Sequence, residues 1–119
     1  MILADTSVWV AHLRSTSREL ARALGDGEVL GHPHVRGELA CGNLRNRAGI
    51  LELLRDLPQA VLATQDEALE CLERNRLYGR GLGWTDVHLL ASARLTPARL
   101  WTLDVALARE AARQGVALQ

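Results

Sequence analysis

The chain has no lysine: all fourteen of its basic residues are arginine, and fourteen acids balance them to a formal net charge of zero. Lysine-dependent chemistry is thereby excluded. No global positive field exists to draw in a nucleic acid, so any such binding must use a local arginine patch. Phenylalanine is absent too, and the 3% aromatic share is three tryptophans and one tyrosine. Trp9, Trp84, Trp101 and Tyr78 are expected to serve as core or interface anchors. Cysteine is scarce, and Cys41 and Cys71 lack CxxC spacing, which points to two buried, reduced thiols rather than a disulfide. No apolar run approaches the roughly 18 residues of a membrane span, and the start MILADTS has no basic leader region. Nothing in it directs the chain out of the cytoplasm.

What is present is a globular composition, 48% apolar and 24% charged, in 119 residues. That length suits one domain, residues 1–119, with a packed core. No repeat, linker or low-complexity segment divides it. Ile2 to Ala4 reads as a short strand stopping at Asp5, with Thr6 and Ser7 ahead of the amphipathic stretch Val8 to Leu13. Further strands are expected at Glu28 to Gly31, Val61 to Leu62, Arg99 to Leu103 and Val116 to Leu118. Helices are expected at Ser17 to Leu24, after Pro33, and at Gly49 to Leu57, Gln65 to Leu77, Trp84 to Leu95 and Asp104 to Arg113. Strands that alternate with helices predict an α/β fold with a mostly parallel sheet of four or five short strands, because parallel neighbours need helical crossovers. Sites in such sheets lie at the carboxyl ends of the strands.

Four acids occupy such places. Asp5 and Asp104 follow strands, so a parallel sheet brings both carboxylates to one edge. Asp86 sits in the first turn of its helix, with Leu89, Leu90 and Ala93 within about 60° of its direction. A carboxylate on that inward stripe is costly unless paired, protonated or bound to a cation. Glu38 carries the weakest individual signal, and each of the four has an ordinary explanation as a helix cap or a solvated side chain. Together, without a basic partner nearby in sequence, they would repel one another, and hard divalent ions would relieve that repulsion. Two such ions can activate a water and stabilise the leaving oxygen of a phosphodiester. His12, His32, His34 and His88 share no metal-ligand spacing with the cysteines, and His88 projects about 200° away from Asp86. They read as structural or solvated.

The segments Leu3-Ala4-Asp5-Thr6-Ser7-Val8-Trp9, Glu38, Gly83-Trp84-Thr85-Asp86-Val87-His88-Leu89-Leu90-Ala91 and Trp101-Thr102-Leu103-Asp104 resemble the PIN domains of VapC-type toxins over essentially the whole chain. The resemblance implies a three-layer α/β/α sandwich and a Mg²⁺- or Mn²⁺-dependent endoribonuclease using one or two ions. It implies the toxin of a type II toxin-antitoxin pair, cleaving structured RNA with metal-activated water to leave 5′-phosphate and 3′-hydroxyl ends. Asp5, Glu38, Asp86 and Asp104 match the family's catalytic, metal-holding acids. Thr6, Ser7 and Thr102 are candidates to orient those carboxylates, and Arg36, Arg45, Arg47 and Arg80 to contact RNA phosphates. A homodimer and a VapB-like antitoxin are implied as partners.

Other readings fare worse. An aspartyl-phosphate enzyme of the haloacid-dehalogenase type wants a second Asp where Ser7 stands and a basic residue that is usually lysine. A response-regulator receiver fails on the same missing lysine, and neither a Walker GxxxxGK nor a dinucleotide glycine fingerprint occurs. The alternative left open is a catalytically silent PIN module that binds RNA or a protein partner.

Overall fold

Three short strands, β1 (Ile2–Ala4), β2 (Val29–Leu30) and β3 (Arg99–Trp101), pair in parallel in the order β2-β1-β3 in the computed structural model, which describes residues 1–118. Leu3 pairs with Leu30 on one side and Leu100 on the other, and these side chains are buried at the centre of the core. Among the described residues seven helices complete the order: α1 (Thr6–Arg14) and α2 (Arg18–Gly25) between β1 and β2, then α3 (Pro33–Ala40), α4 (Arg47–Asp56), α5 (Gln65–Arg74) and α6 (Trp84–Leu95) before β3, and α7 (Val105–Arg113) after it.

The sheet is narrower than the four or five strands expected, because each outer strand shrinks to a single bridge. Beyond β2, Gln59 bridges to Gly31, and beyond β3, Ala117 bridges to Leu100. On the first side the N–H of Gly31 donates to Pro58 O at 2.7 Å and the N–H of Ala60 to Gly31 O at 2.9 Å. Pro58 has no N–H with which to extend that ladder. The pairing lies two residues before the expected Val61 to Leu62, whose side chains are 48% and 51% exposed. Position 31 demands glycine: a methyl carbon there would lie 2.5 Å from Gln59 Nε2 and 2.7 Å from Leu54 O.

Local chemistry fixes the helix starts. Asp5, Ser17, His32, Thr64 and Asp104 each accept a backbone N–H of the first turn, and Pro33 occupies the opening position of α3. The expected helix Gln65 to Leu77 stops early. Arg76 adopts a left-handed backbone (φ 52°), which turns Leu77 into the core. Helix α6 is buried along the whole run Val87 to Ala93, with α5 packed along it and β3 beside it. Cys71 is partly buried, but Cys41 is exposed at the end of α3, against expectation, and both thiols are free. Among the described residues no helix is long and apolar enough to cross a membrane.

Candidate active site

Asp5 directly follows β1 and is 5% exposed. Its Oδ1 accepts the Ser7 hydroxyl at 2.5 Å and the Val8 N–H at 3.1 Å, and its Oδ2 accepts the Thr102 hydroxyl. Thr102 Oγ1 also accepts the N–H of Asp104 at 3.0 Å, and the N–H of Leu103 donates to Ser7 Oγ at 2.9 Å. The turn after β3 is thus stitched to the turn after β1, so the parallel register of these strands brings Asp5 and Asp104 to one edge. Asp104 is exposed and caps α7, accepting the N–H of Leu107 at 2.9 Å. Glu38, exposed on α3, accepts the Thr6 hydroxyl at 2.5 Å, which ties α3 to the first residue of α1.

Asp86 is half-buried in the first turn of α6 and accepts the N–H of Gly83 at 2.9 Å. Burial pushes its carboxyl above the usual carboxylate range; the charges of Asp104, Asp5 and Glu38 push the same way, against the Gly83 hydrogen bond. Acids on four different elements therefore share one electrostatic neighbourhood. The ion pairs among the described residues are Arg55 with Asp56, Arg74 with Glu70, and Arg80 and Arg113 with Glu110. None involves the four acids. In donor type and in uncompensated charge, this set fits a hard divalent cation. Its spacing is looser: no group of three metal-ligating side chains among the described residues is close enough to hold an ion as placed.

The four arginines expected at RNA phosphates have different surroundings. Arg80 pairs with Glu110, and Arg47 donates twice to Ala40 O at the end of α3. Arg36 lines a cleft of about 620 Å³ with Arg55, and Arg45 lines one of about 600 Å³ with Arg14, Val10, Leu13 and Leu44.

Two features escape the sequence reading. His32, His34, His88 and Trp84 form a series of ring contacts with centroids 5.1, 4.4 and 4.7 Å apart, the first pair tilted and the next two edge to face. This series joins the start of α3, which carries Glu38, to the start of α6, which carries Asp86. The Nδ1 of His32 accepts the N–H of His34 at 3.0 Å, which leaves its Nε2–H to donate to Ser92 Oγ, also at 3.0 Å. Burial, with the neighbouring His34 and His88, pulls the His32 pKa down to about 4; burial first and then His34 lower that of His88. The second feature is Glu110, a 2% exposed acid on α7. Leu107, Glu110 and Ala111 are all buried, so its position on an apolar i, i+3, i+4 stripe was the available signal.

The family model described as PIN domain matches residues 2–112. The chain is 49% identical to Ribonuclease VapC32 of Mycobacterium tuberculosis strain CDC 1551 / Oshkosh over 119 residues, which covers 99% of this chain and 96% of the relative. The same protein from strain H37Rv matches to the same extent.

Proposed function

The chain belongs to the PIN-domain family and is of the VapC type; on that premise we propose that it is a Mg²⁺- or Mn²⁺-dependent endoribonuclease, the toxin of a toxin-antitoxin pair, cutting structured RNA. The observation that carries the reading is the state of Asp86: a half-buried carboxyl raised in part by acids from three other elements, with no arginine among the described residues paired to any of the four. Such a cluster is costly to the fold and suited to a cation.

Asp5, Glu38, Asp86 and Asp104 would hold the ion or ions. A bound Mg²⁺ or Mn²⁺ supplies Lewis-acid polarisation of a phosphate and lowers the pKa of water. The chain's own part is orientation. Ser7 and Thr102 grip opposite oxygens of Asp5, so its carboxylate cannot rotate freely. Gly83 fixes Asp86, and Thr6 fixes Glu38. The arginine-lined clefts beside α1 and α3 offer phosphate contacts through Arg36 and Arg45, whereas Arg80 is engaged by Glu110. The single domain is proposed to act in the cytoplasm as a homodimer, restrained by a VapB-like antitoxin.

The loose spacing of the acids favours one second reading, a silent module that binds RNA or protein without turnover. Antitoxin-free protein incubated with structured RNA and Mn²⁺ or Mg²⁺ separates the two. Cleavage abolished by EDTA and reduced roughly 100-fold or more by Asp5→Asn and Asp86→Asn supports the nuclease. Cleavage indifferent to all three would sink the metal site, and RNA binding without cleavage would establish the silent module.

A further inference from the structure

Helix α7 carries two acids with opposite circumstances. Asp104 caps its exposed start, whereas Glu110 is buried two turns later with both carboxylate oxygens engaged. Oε1 accepts from Arg80 Nη1 at 3.1 Å and from Arg113 Nε at 3.1 Å, and Oε2 accepts from Arg113 Nε at 2.9 Å and Nη2 at 2.7 Å. Each guanidinium reaches a second acceptor, and both acceptors lie on the segment joining α5 to α6. Arg113 Nη2 donates to Asn75 O at 2.7 Å, and Arg80 Nε donates to Arg76 O at 2.8 Å.

That segment, residues 75–83, needs holding. It contains three left-handed residues, Arg76 (φ 52°), Gly79 (φ 71°) and Gly81 (φ 79°), and its side chains are exposed at Tyr78 and Arg80. Only Leu77 anchors it deeply, at 2% exposure. At its far end stands Gly83, whose N–H is the hydrogen-bond partner of the Asp86 carboxylate. At Gly81 the segment also passes close to Ala106, in the first turn of α7.

We propose that Glu110 is a positioning residue: through Arg80 and Arg113 it clamps the 75–83 segment to α7 and so fixes Asp86 relative to Asp104. The two acids sit at opposite ends of this tether, Asp104 at the head of the helix that carries Glu110 and Asp86 beside the end of the clamped segment. Glu110 touches no substrate; it acts through the two guanidinium groups. Losing its charge leaves two half-exposed guanidinium groups, Arg80 and Arg113, sharing a neutral partner, and the weakened hold and their mutual repulsion free the segment. The inference rests on the nuclease reading for its effect on turnover but not for its effect on the segment.

Glu110→Gln keeps the side chain's shape and removes its charge, and Arg80→Ala removes the one guanidinium that belongs to the segment itself. Both variants and the parent are compared well below their melting temperatures by amide hydrogen exchange and by RNA cleavage with Mn²⁺. The expected result is exchange at residues 76–83 faster by roughly tenfold with β1 amides unchanged, and a kcat lower by about 10- to 100-fold at near-constant KM. A residue that only stabilises the fold would speed exchange throughout or leave kcat untouched in both variants, and either outcome overturns the proposal. Unchanged exchange at 76–83 overturns it as well. If Glu110→Gln fails to fold, Arg80→Ala alone decides. If the parent cleaves no RNA, the nuclease reading falls while the exchange data still decide the clamp.

Discussion

Acidification should weaken this fold through one histidine. His32 is 3% exposed, its pKa is pulled down to about 4, and His34 and His88 are the titratable groups packed against it. In the unfolded chain it takes up a proton below about pH 6.5; in the folded chain it does so only near 4. Between those values the unfolded state binds more protons, so stability is fully present above about pH 6.5 and falls as pH drops towards 4. The shift corresponds to about 3.4 kcal/mol at its limit and about 2 kcal/mol at pH 5. For a domain of this size 2 kcal/mol is about 8 °C in Tm. His88 adds in the same direction, whereas the raised carboxyl of Asp86 works against it, because its folded form keeps a proton that the unfolded form has lost. Comparison with His32→Asn isolates the one residue. The asparagine oxygen can still accept the His34 N–H, and the lost Ser92 hydrogen bond, ring contact and buried volume add a penalty that does not vary with pH. Urea denaturation followed by circular dichroism at pH 7.5, 6 and 5 in EDTA should show the parent losing about 2 kcal/mol more than the variant between the extremes. Parallel losses in the two proteins would mean that His32 is not the group through which acid acts.

Three further outcomes are expected. Thr102→Val, which removes the hydroxyl shared by Asp5 and the Asp104 N–H, should lower Mn²⁺ affinity or cleavage by roughly 10- to 100-fold without unfolding the protein; cleavage and Mn²⁺ affinity at parental levels would deny Thr102 that role. Asp104→Asn should lower the pKa of Asp86 in metal-free protein, read from its carboxyl carbon chemical shift, since Asp104 is the first of the three charges raising it; an unmoved titration would mean that the acids do not share a neighbourhood. Gly31→Ala should cost about 1–3 kcal/mol in denaturant titrations, and Gln59→Ala should not restore it, because Leu54 O, a backbone atom 2.7 Å from the new carbon, cannot move aside.

The sequence made most of this legible where local rules decide. Asp5 and Asp104 were expected after strands; Asp5 follows β1 directly and Asp104 follows β3 after Thr102 and Leu103, as caps of α1 and α7. Helix α6 has the limits its pattern suggested. The stripe argument for Asp86 was cruder than the outcome, because α6 is buried on nearly every side and has no polar face against which to measure direction. Where long-range packing decides, the sequence was silent. The outer strand beyond β2 shrank to a bridge because Pro58 and the close approach at Gly31 set its pairing. His88, read as pointing away from Asp86, packs edge to face between His34 and Trp84. Arg80 has a buried partner thirty positions away, a pairing that no local spacing announces.

Four acids on separate elements are proposed to act as one cation site. A Mn²⁺ titration followed by the electron paramagnetic resonance of the free ion tests it without reference to any RNA. The parent should bind Mn²⁺, Asp86→Asn and Asp5→Asn should each weaken binding by at least roughly tenfold, and Asp66→Asn, which alters an exposed acid on α5, should bind as the parent does. Equal binding by the Asp66 and Asp86 variants, or no binding by the parent at millimolar Mn²⁺, would contradict it.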